Sequence, residues 1–339
     1  MQRVRIHEHG GVDVLRRETV PTPEPGPGQV RIRVRAVGLN HLDLWVRRGV
    51  PGHRFPLPMV PGSDIAGVVE TGPRAGERVV LHPGTSCGLC PACQSGQQDL
   101  CRHYEIRGEG GDGGMSERIV CDEADLIPIP EHLDFAQAAS LPLSGLTAWH
   151  MLRKAGLQAG ETLLVLGGTS GVGHLAIQIG RLLGARVLAT AGSAEKRERC
   201  LSLGAEQAFD HRDLAPFHRQ VKAATQGAGA HVVFEHIGAV TWERSLKSLA
   251  WGGRLVTCGA TTGAEVPLNL RALFFKRQSL IGSTMGSRGD QLAFWRQVTL
   301  GHITPVVACT FPWEELGRAH EVLSGGVVGK VVVTLPDGA

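Results

Sequence analysis

Leu163-Leu164-Val165-Leu166 runs straight into Gly167-Gly168-Thr169-Ser170-Gly171-Val172-Gly173, and helical spacing follows at once. Few local patterns restrict a fold as strongly. A buried strand that ends in a glycine turn and re-enters as a helix opens a βαβ unit, and its glycines let the backbone approach a pyrophosphate seated on the helix N-terminus. Ser170 stands where such turns usually carry their middle glycine. A glycine-rich connection without a nucleotide is the simpler alternative, and the surroundings argue against it. Candidate strands at 163–166, 186–190, 206–209, 231–235, 254–258 and 279–282 alternate with helically spaced segments such as 172–183, 194–203 and 241–250. That alternation predicts an α/β fold with a parallel, doubly wound sheet covered on both faces.

The end of the second strand speaks to the cofactor. A dinucleotide domain that selects an unphosphorylated ribose places a carboxylate there. From His174 through Ala194 this chain has no Asp or Glu, and the strand ends Ala189-Thr190-Ala191-Gly192-Ser193, with Lys196 and Arg197 close behind. A small turn, a hydroxyl and two cations suit a 2′-phosphate, so NADPH is expected over NADH. The simpler reading makes both cations the solvated face of the next helix.

Upstream the pattern changes. Val30, Ile32, Val34 and Ala36 alternate with Arg31, Arg33 and Arg35, the period-2 signature of a half-exposed strand. Short apolar runs follow at 65–69 and 78–81, and the first 125 or so residues read as mostly β. Residues 331–334 supply a last strand to one domain or the other. At 339 residues the chain exceeds the size at which one core usually stops growing, so two domains are expected.

Cys87-x2-Cys90-x2-Cys93-x7-Cys101 is the clearest metal signal. Four thiolates so close repel one another unless a soft cation neutralises them, and a closed tetrahedral set of four cysteines is what a structural zinc requires. An iron-sulfur run would place its fourth cysteine three residues on and follow it with proline; here Arg102 follows. The other cysteines, Cys121, Cys200, Cys258 and Cys309, are scattered singly, which suits a reducing, cytoplasmic setting. The 35 basic and 32 acidic residues are spread along the chain without a basic block, so nucleic acid is not an expected partner. No apolar run is long enough to cross a membrane.

Taken together, the β-rich N-terminal part, the four-cysteine lobe, the dinucleotide pattern and the C-terminal return resemble the medium-chain dehydrogenase/reductase superfamily over the full length. Further matches are Gly38-Leu39-Asn40-His41-Leu42-Asp43, Pro61-Gly62-Ser63-Asp64-Ile65-Ala66-Gly67-Val68-Val69 and Leu143-Ser144-Gly145-Leu146-Thr147-Ala148-Trp149. The connection at 72–77 is shorter than family members often have. The resemblance implies a GroES-like β-rich catalytic domain at 1–129 and 286–339, with the zinc lobe at about 84–104, and a Rossmann domain at 130–285. It also implies a homodimer formed through the edge of the dinucleotide sheet, tetramers being a further possibility.

The superfamily divides on a second, catalytic zinc. Its zinc alcohol dehydrogenases carry a cysteine ligand where this chain has Asn40, a histidine where it has Ser63, and a further cysteine at Leu143; the acid beside the histidine is shortened to Asp64. An amide, a hydroxyl and a leucine do not hold zinc in that geometry, and His41 and Asp43 read better as a structural pair at a helix start. Without the Lewis acid, a reductase of this type favours acceptors that conjugation already activates, namely quinones and α,β-unsaturated carbonyls. The zinc-free quinone oxidoreductase branch resembles the chain in Asn40, Gly62-Ser63-Asp64 and Gly192-Ser193-x2-Lys196. The expected catalytic residues are Asn40, as hydrogen-bond donor to the acceptor, with Asp64 and Thr147 as polar neighbours. The resemblance puts Ser170, Gly171 and Val172 at the pyrophosphate and Gly192, Ser193 and Lys196 at the ribose. It puts Gly238, Gly259, Ser283 and Met285 toward the nicotinamide, and Lys330 at the recurring family terminus on the cofactor. A zinc-type alcohol dehydrogenase and a non-enzymatic NADPH-binding protein are the alternatives.

Overall fold

The computed structural model describes residues 1–212 and 216–336, which divide into two compact units. The first comprises Met1–Ser144, Ser287–Thr299 and the chain from Thr304 onward; the second comprises Gly145–Gly286 and Leu300–Ile303.

The first unit is built on a seven-stranded sheet in the order Val307–Pro312, Lys330–Thr334, Gln29–Gly38, Asp64–Val69, Arg78–Leu81, Leu126–Pro128. The seventh strand, Arg118–Asp122, pairs with the first half of Gln29–Gly38. Only the pair Val307–Pro312 and Lys330–Thr334 is parallel. The alternation in the sequence does its work here: Val30, Ile32, Val34 and Ala36 are buried, while the arginines between them are half-exposed and meet carboxylates such as Glu70. Val30, Ile32 and Val34 join Ile65, Val79, Val331 and Val333 in one apolar core, and burial of these side chains supplies the main drive for folding the unit. The C-terminal strand therefore belongs to this sheet. Residues 130–144, assigned to the dinucleotide domain from sequence, group with this unit instead, because the short helix Phe135–Ala139 packs on Gln29–Gly38 and Asp64–Val69.

The second unit holds a six-stranded, all-parallel sheet in the order Gln207–Asp210, Arg186–Ala191, Thr162–Val165, Ala230–Glu235, Leu249–Thr257, Ser279–Gly282. In chain order this is 3-2-1-4-5-6, the doubly wound arrangement whose switch point lies between Thr162–Val165 and Ala230–Glu235. The three central strands, Arg186–Ala191, Thr162–Val165 and Ala230–Glu235, are mostly apolar and buried, as strands covered on both faces demand. No helix among the described residues is long and apolar enough to cross a membrane.

The first unit also buries imidazoles as neutral groups. Burial pushes His82 down to about 4 and His320 to about 3, with neighbouring arginines adding to the effect. Neither ring nitrogen of His320 has a partner. Both groups must take up protons on unfolding, so the stability they contribute is complete above pH 6.5 and is lost as pH falls through the folded values. For His82 this amounts to about 3 kcal/mol. The denaturant midpoint is expected to drop steeply between pH 6.5 and 4, and His320→Leu is expected to flatten that slope; an unchanged slope in the variant counts against the assignment.

Candidate functional site

The glycine turn is shaped by close approach. A Cβ on Gly173 would lie 2.2 Å from the Gly167 carbonyl oxygen, so no other residue lets the helix Gly173–Leu182 start where it does. Ser170 takes the place of a glycine without breaking the turn: its Oγ accepts from the Gly173 amide at 2.9 Å and its carbonyl accepts from the His174 amide at 3.1 Å. Ser170, Gly171 and Val172 thus form the mouth of a ten-residue helix, where the helix dipole favours an anion.

Two residues that sequence reasoning gave no role shape this end of the sheet. His236 Nε2 lies 2.9 Å from the Leu166 carbonyl, to which it donates, and 3.2 Å from Ser170 Oγ, spanning the switch point. Glu235 is fully buried, and among the described residues no cation pairs with it. Its carboxylate instead accepts from the amides of Ile237 (2.7 Å) and Gly238 (3.2 Å) and from the hydroxyls of Thr241 (3.1 Å) and Ser245 (2.5 Å). That fan of donors fixes the turn carrying Gly238, which packs against the turn after Gly259 through Thr262 N–H to Ile237 O at 2.8 Å. Such a carboxylate has no periodicity or motif to announce it.

Past the end of the second strand, Ser193 caps the helix Ala194–Ser202, its Oγ accepting from the Lys196 amide at 3.2 Å. Thr190 Oγ1 accepts from the Gly167 amide at 3.2 Å and meets His211 Nδ1 at 3.1 Å. Ser283 and Met285 lie beyond the edge strand. Met285 has a positive φ of 50°, and its sulfur sits 3.9 Å from Thr147 Oγ1, so two residues singled out from sequence do meet. The glycine approaches, the half-buried helix mouth and the second-strand terminus without a carboxylate fit a dinucleotide.

In the first unit the sheet register gathers a buried polar cluster. Val332 lies opposite Gly38, and Gly38 opposite Asp64, so three adjacent strands deliver Lys330, Asn40 and Asp64 to one end of the sheet. Lys330 Nζ donates to Asn40 Oδ1 (2.5 Å), Asp64 Oδ2 (2.9 Å) and Ser144 Oγ (3.3 Å), and the lysine is 2% exposed. Its three protons therefore have three acceptors. Asn40 Nδ2 donates to Asp64 Oδ2 at 3.0 Å, and the Leu143 amide donates to Asp64 Oδ1 at 2.5 Å. Asp43 accepts from the amides of Asn40 (2.7 Å) and Gly62 (2.9 Å); burial nevertheless pushes it up to about 6. Asn40 and Asp64 thus come together as the sequence suggested, whereas Lys330, expected on the cofactor, is engaged by them. Asp43 is a structural helix-start residue, as expected from its position. Thr147 belongs to the other unit.

The cysteine lobe needs no rearrangement to take a metal. Its sulfurs all lie within 4.8 Å of one another, with separations of 3.9 Å (Cys87 to Cys93), 3.6 Å (Cys90 to Cys93) and 3.5 Å (Cys87 to Cys101). Tetrahedral Zn–S bonds of ~2.3 Å require about 3.8 Å. The Cys90 and His103 amides point at Cys87 and Cys101 sulfurs, and amides of Leu89 and Cys90 pull the Cys87 thiol down to about 6. Among the described residues this is the only group of three or more His, Cys, Asp or Glu side chains placed to hold an ion.

Comparison with known proteins matches residues 26–131 to the alcohol dehydrogenase GroES-like domain and residues 171–299 to the zinc-binding dehydrogenase family. The quinone oxidoreductase of Rattus norvegicus is 32% identical over 345 residues, 99% of this chain and 98% of the rat protein. An alcohol dehydrogenase of Schizosaccharomyces pombe is 27% identical over 97% of this chain and 96% of its own. Among solved structures, an NAD-dependent alcohol dehydrogenase superposes with a TM-score of 0.95 at 41% identity, covering 99% of this chain and all of that one.

Proposed function

Because the chain belongs to the medium-chain dehydrogenase/reductase superfamily, in its zinc alcohol dehydrogenase-like and quinone oxidoreductase branch, we propose that this oxidoreductase carries hydride from NADPH to a quinone or α,β-unsaturated carbonyl without a catalytic zinc. The observation that carries this reading is the Lys330 ammonium held by Asn40, Asp64 and Ser144. Zinc alcohol dehydrogenases have ligands at the positions of Asn40, Ser63 and Leu143. Here those positions offer an amide, a hydroxyl and an alkyl group, and a buried cation beside them opposes a second one. The four-cysteine lobe holds a structural zinc.

When bound, NADPH supplies the hydride. The protein's part is to hold the cofactor at Ser170, Gly171 and Val172 and at Gly192, Ser193 and Lys196, with Gly238, Gly259, Ser283, Met285 and Thr147 toward the nicotinamide. Asn40 is locked in one orientation by Lys330 and Asp64; among the described residues the second hydrogen on Nδ2 has no better acceptor than the Gly38 carbonyl, a long 3.5 Å from the nitrogen, and is the donor to the acceptor oxygen. Charge arriving on a quinone or enone spreads through conjugation, and the proton that completes reduction comes from water. Lys330 is a positioning residue in this scheme.

Alcohol dehydrogenase chemistry is the second reading, favoured by the solved relative at 41% identity; it requires the metal ligands that Asn40, Ser63 and Leu143 do not supply. The two separate in an assay of nicotinamide absorbance. Oxidation of NADPH with a quinone or an enal is expected, with Asn40→Ala lowering turnover about tenfold or more in protein that is still folded at the assay temperature. Turnover on simple alcohols alone, or full activity in Asn40→Ala, contradicts the scheme. We also propose a homodimer through the edge strand Ser279–Gly282, supported by the exposed Trp251, Leu270, Phe274 and Phe275 of the same unit; light scattering giving the mass of two chains is the check.

A further inference from the structure

The ribose end of the dinucleotide unit carries more than the two cations evident in sequence, and they are not equivalent. Arg197 Nη1 lies 2.6 Å from Asp210 Oδ2, an ion pair at the end of the third strand. Its charge is already answered. Arg212 is different. Its guanidinium passes directly over Gly192: a Cβ on residue 192 would lie 2.4 Å from Nε and 2.8 Å from Cζ, so a side chain there would displace it. Its backbone is anchored, the amide donating to Asp210 Oδ1 at 2.8 Å. Among the described residues no carboxylate pairs with its guanidinium.

Asp210 thus neutralises Arg197 through one oxygen and holds the main chain of Arg212 through the other. The adjoining His211 ties the same segment to the glycine turn through Thr190 Oγ1, which also receives the Gly167 amide. Burial pushes His211 down to about 4, so near neutral pH it contributes geometry and no charge. The result, among the described residues, is a planar cation with no carboxylate on it, lying over Gly192 just past the end of the second strand, where a carboxylate would sit in a domain selective for the unphosphorylated ribose.

We propose that Arg212, held over Gly192, is the residue that selects a 2′-phosphorylated dinucleotide, and that Arg197 is not. A guanidinium meets a phosphate through two parallel N–H bonds, which an ammonium cannot copy. This rests on the NADPH reading above and adds the selecting group, one that lies outside the Gly192–Lys196 motif and is brought to it by the third strand.

Isothermal titration of the full chain with NADPH and with NADH, in the absence of any acceptor, tests it without recourse to turnover. Wild type is expected to bind NADPH more tightly. Arg212→Ala is expected to weaken NADPH about tenfold or more, the scale of a lost charge-assisted pair, and to leave NADH within about twofold. Arg212→Lys should recover only part of the loss, and Arg197→Ala should keep the NADPH-to-NADH ratio while lowering the melting temperature. Should Arg212→Ala fold poorly, Arg212→Gln gives the same comparison. Wild-type preference for NADPH that survives in the Arg212 variants, or that vanishes in Arg197→Ala, overturns the assignment and leaves the NADPH reading standing. Equal or tighter binding of NADH by wild type overturns both.

Discussion

Asp64→Ala is expected to destabilise the protein by about 3–5 kcal/mol, the cost of leaving a buried charge without its partner. Lys330 is 2% exposed and Asp64 0%, so water does not reach the ammonium once the carboxylate is gone. The same substitution strips acceptors from Asn40 Nδ2 and from the Leu143 amide, leaving two more buried donors short. Lys330→Met should cost less than Asp64→Ala, because Asp64 keeps its bonds from Asn40 and Leu143. The double variant Asp64→Leu/Lys330→Met should recover much of the loss, since a buried ion pair is worth little against a well-packed apolar replacement. Denaturant unfolding of the four proteins measures the coupling directly. Additive losses would mean that Lys330 and Asp64 do not depend on each other, and the ammonium would lose its place in the scheme. Turnover should fall in the double variant even where stability returns, because Asn40 is then free to rotate.

The second large effect is expected in the lobe. Cys93→Ser should take the bound zinc from about one per chain to near zero and open residues 84–106 to proteolysis. The reason is how little else holds the segment. It contains a two-residue ribbon, Gly84–Thr85 against Glu105–Ile106, and the four-residue helix Pro91–Gln94. Leu89 and Leu100 are 81% and 60% exposed, so they give the lobe no apolar core. Structural zinc contributes ~10–16 kcal/mol to small Cys/His domains, and a serine hydroxyl does not replace a thiolate at that site. Inductively coupled plasma analysis and limited trypsin digestion check both parts. Retained zinc, or a protease pattern like that of wild type, would show that the lobe stands without its fourth sulfur.

The contrast between these two sites explains what was legible in the sequence. The cysteines lie within 14 positions of one another and the glycine turn within seven consecutive positions, so local spacing specifies both, and periodicity alone located all six strands of the parallel sheet to within a few residues except Leu249–Thr257, which begins earlier than expected. Lys330 is another matter. It lies 290 positions from Asn40 and 266 from Asp64, and only the pairing of Lys330–Thr334 on Gln29–Gly38 brings them together. Its Gly-Lys-Val context pointed to the cofactor; the register points it into the cluster. Arg212 escaped for a similar reason, since parallel pairing of Gln207–Asp210 with Arg186–Ala191 is what brings it to Gly192. Glu235 is silent in sequence because a carboxylate satisfied by amides and hydroxyls needs no oppositely charged partner. Local chemistry was readable, while groups assembled by strand register were not.

In the proposed reading the chain keeps a structural zinc and has an ammonium, not a metal, at Asn40 and Asp64. Zinc per chain in the purified wild-type protein, by elemental analysis against amino-acid quantitation, tests it most directly. About one zinc is expected, lost in Cys93→Ser and retained in Asp64→Leu/Lys330→Met. A value close to two, with one zinc surviving Cys93→Ser, would contradict it and restore a metal to the chemistry.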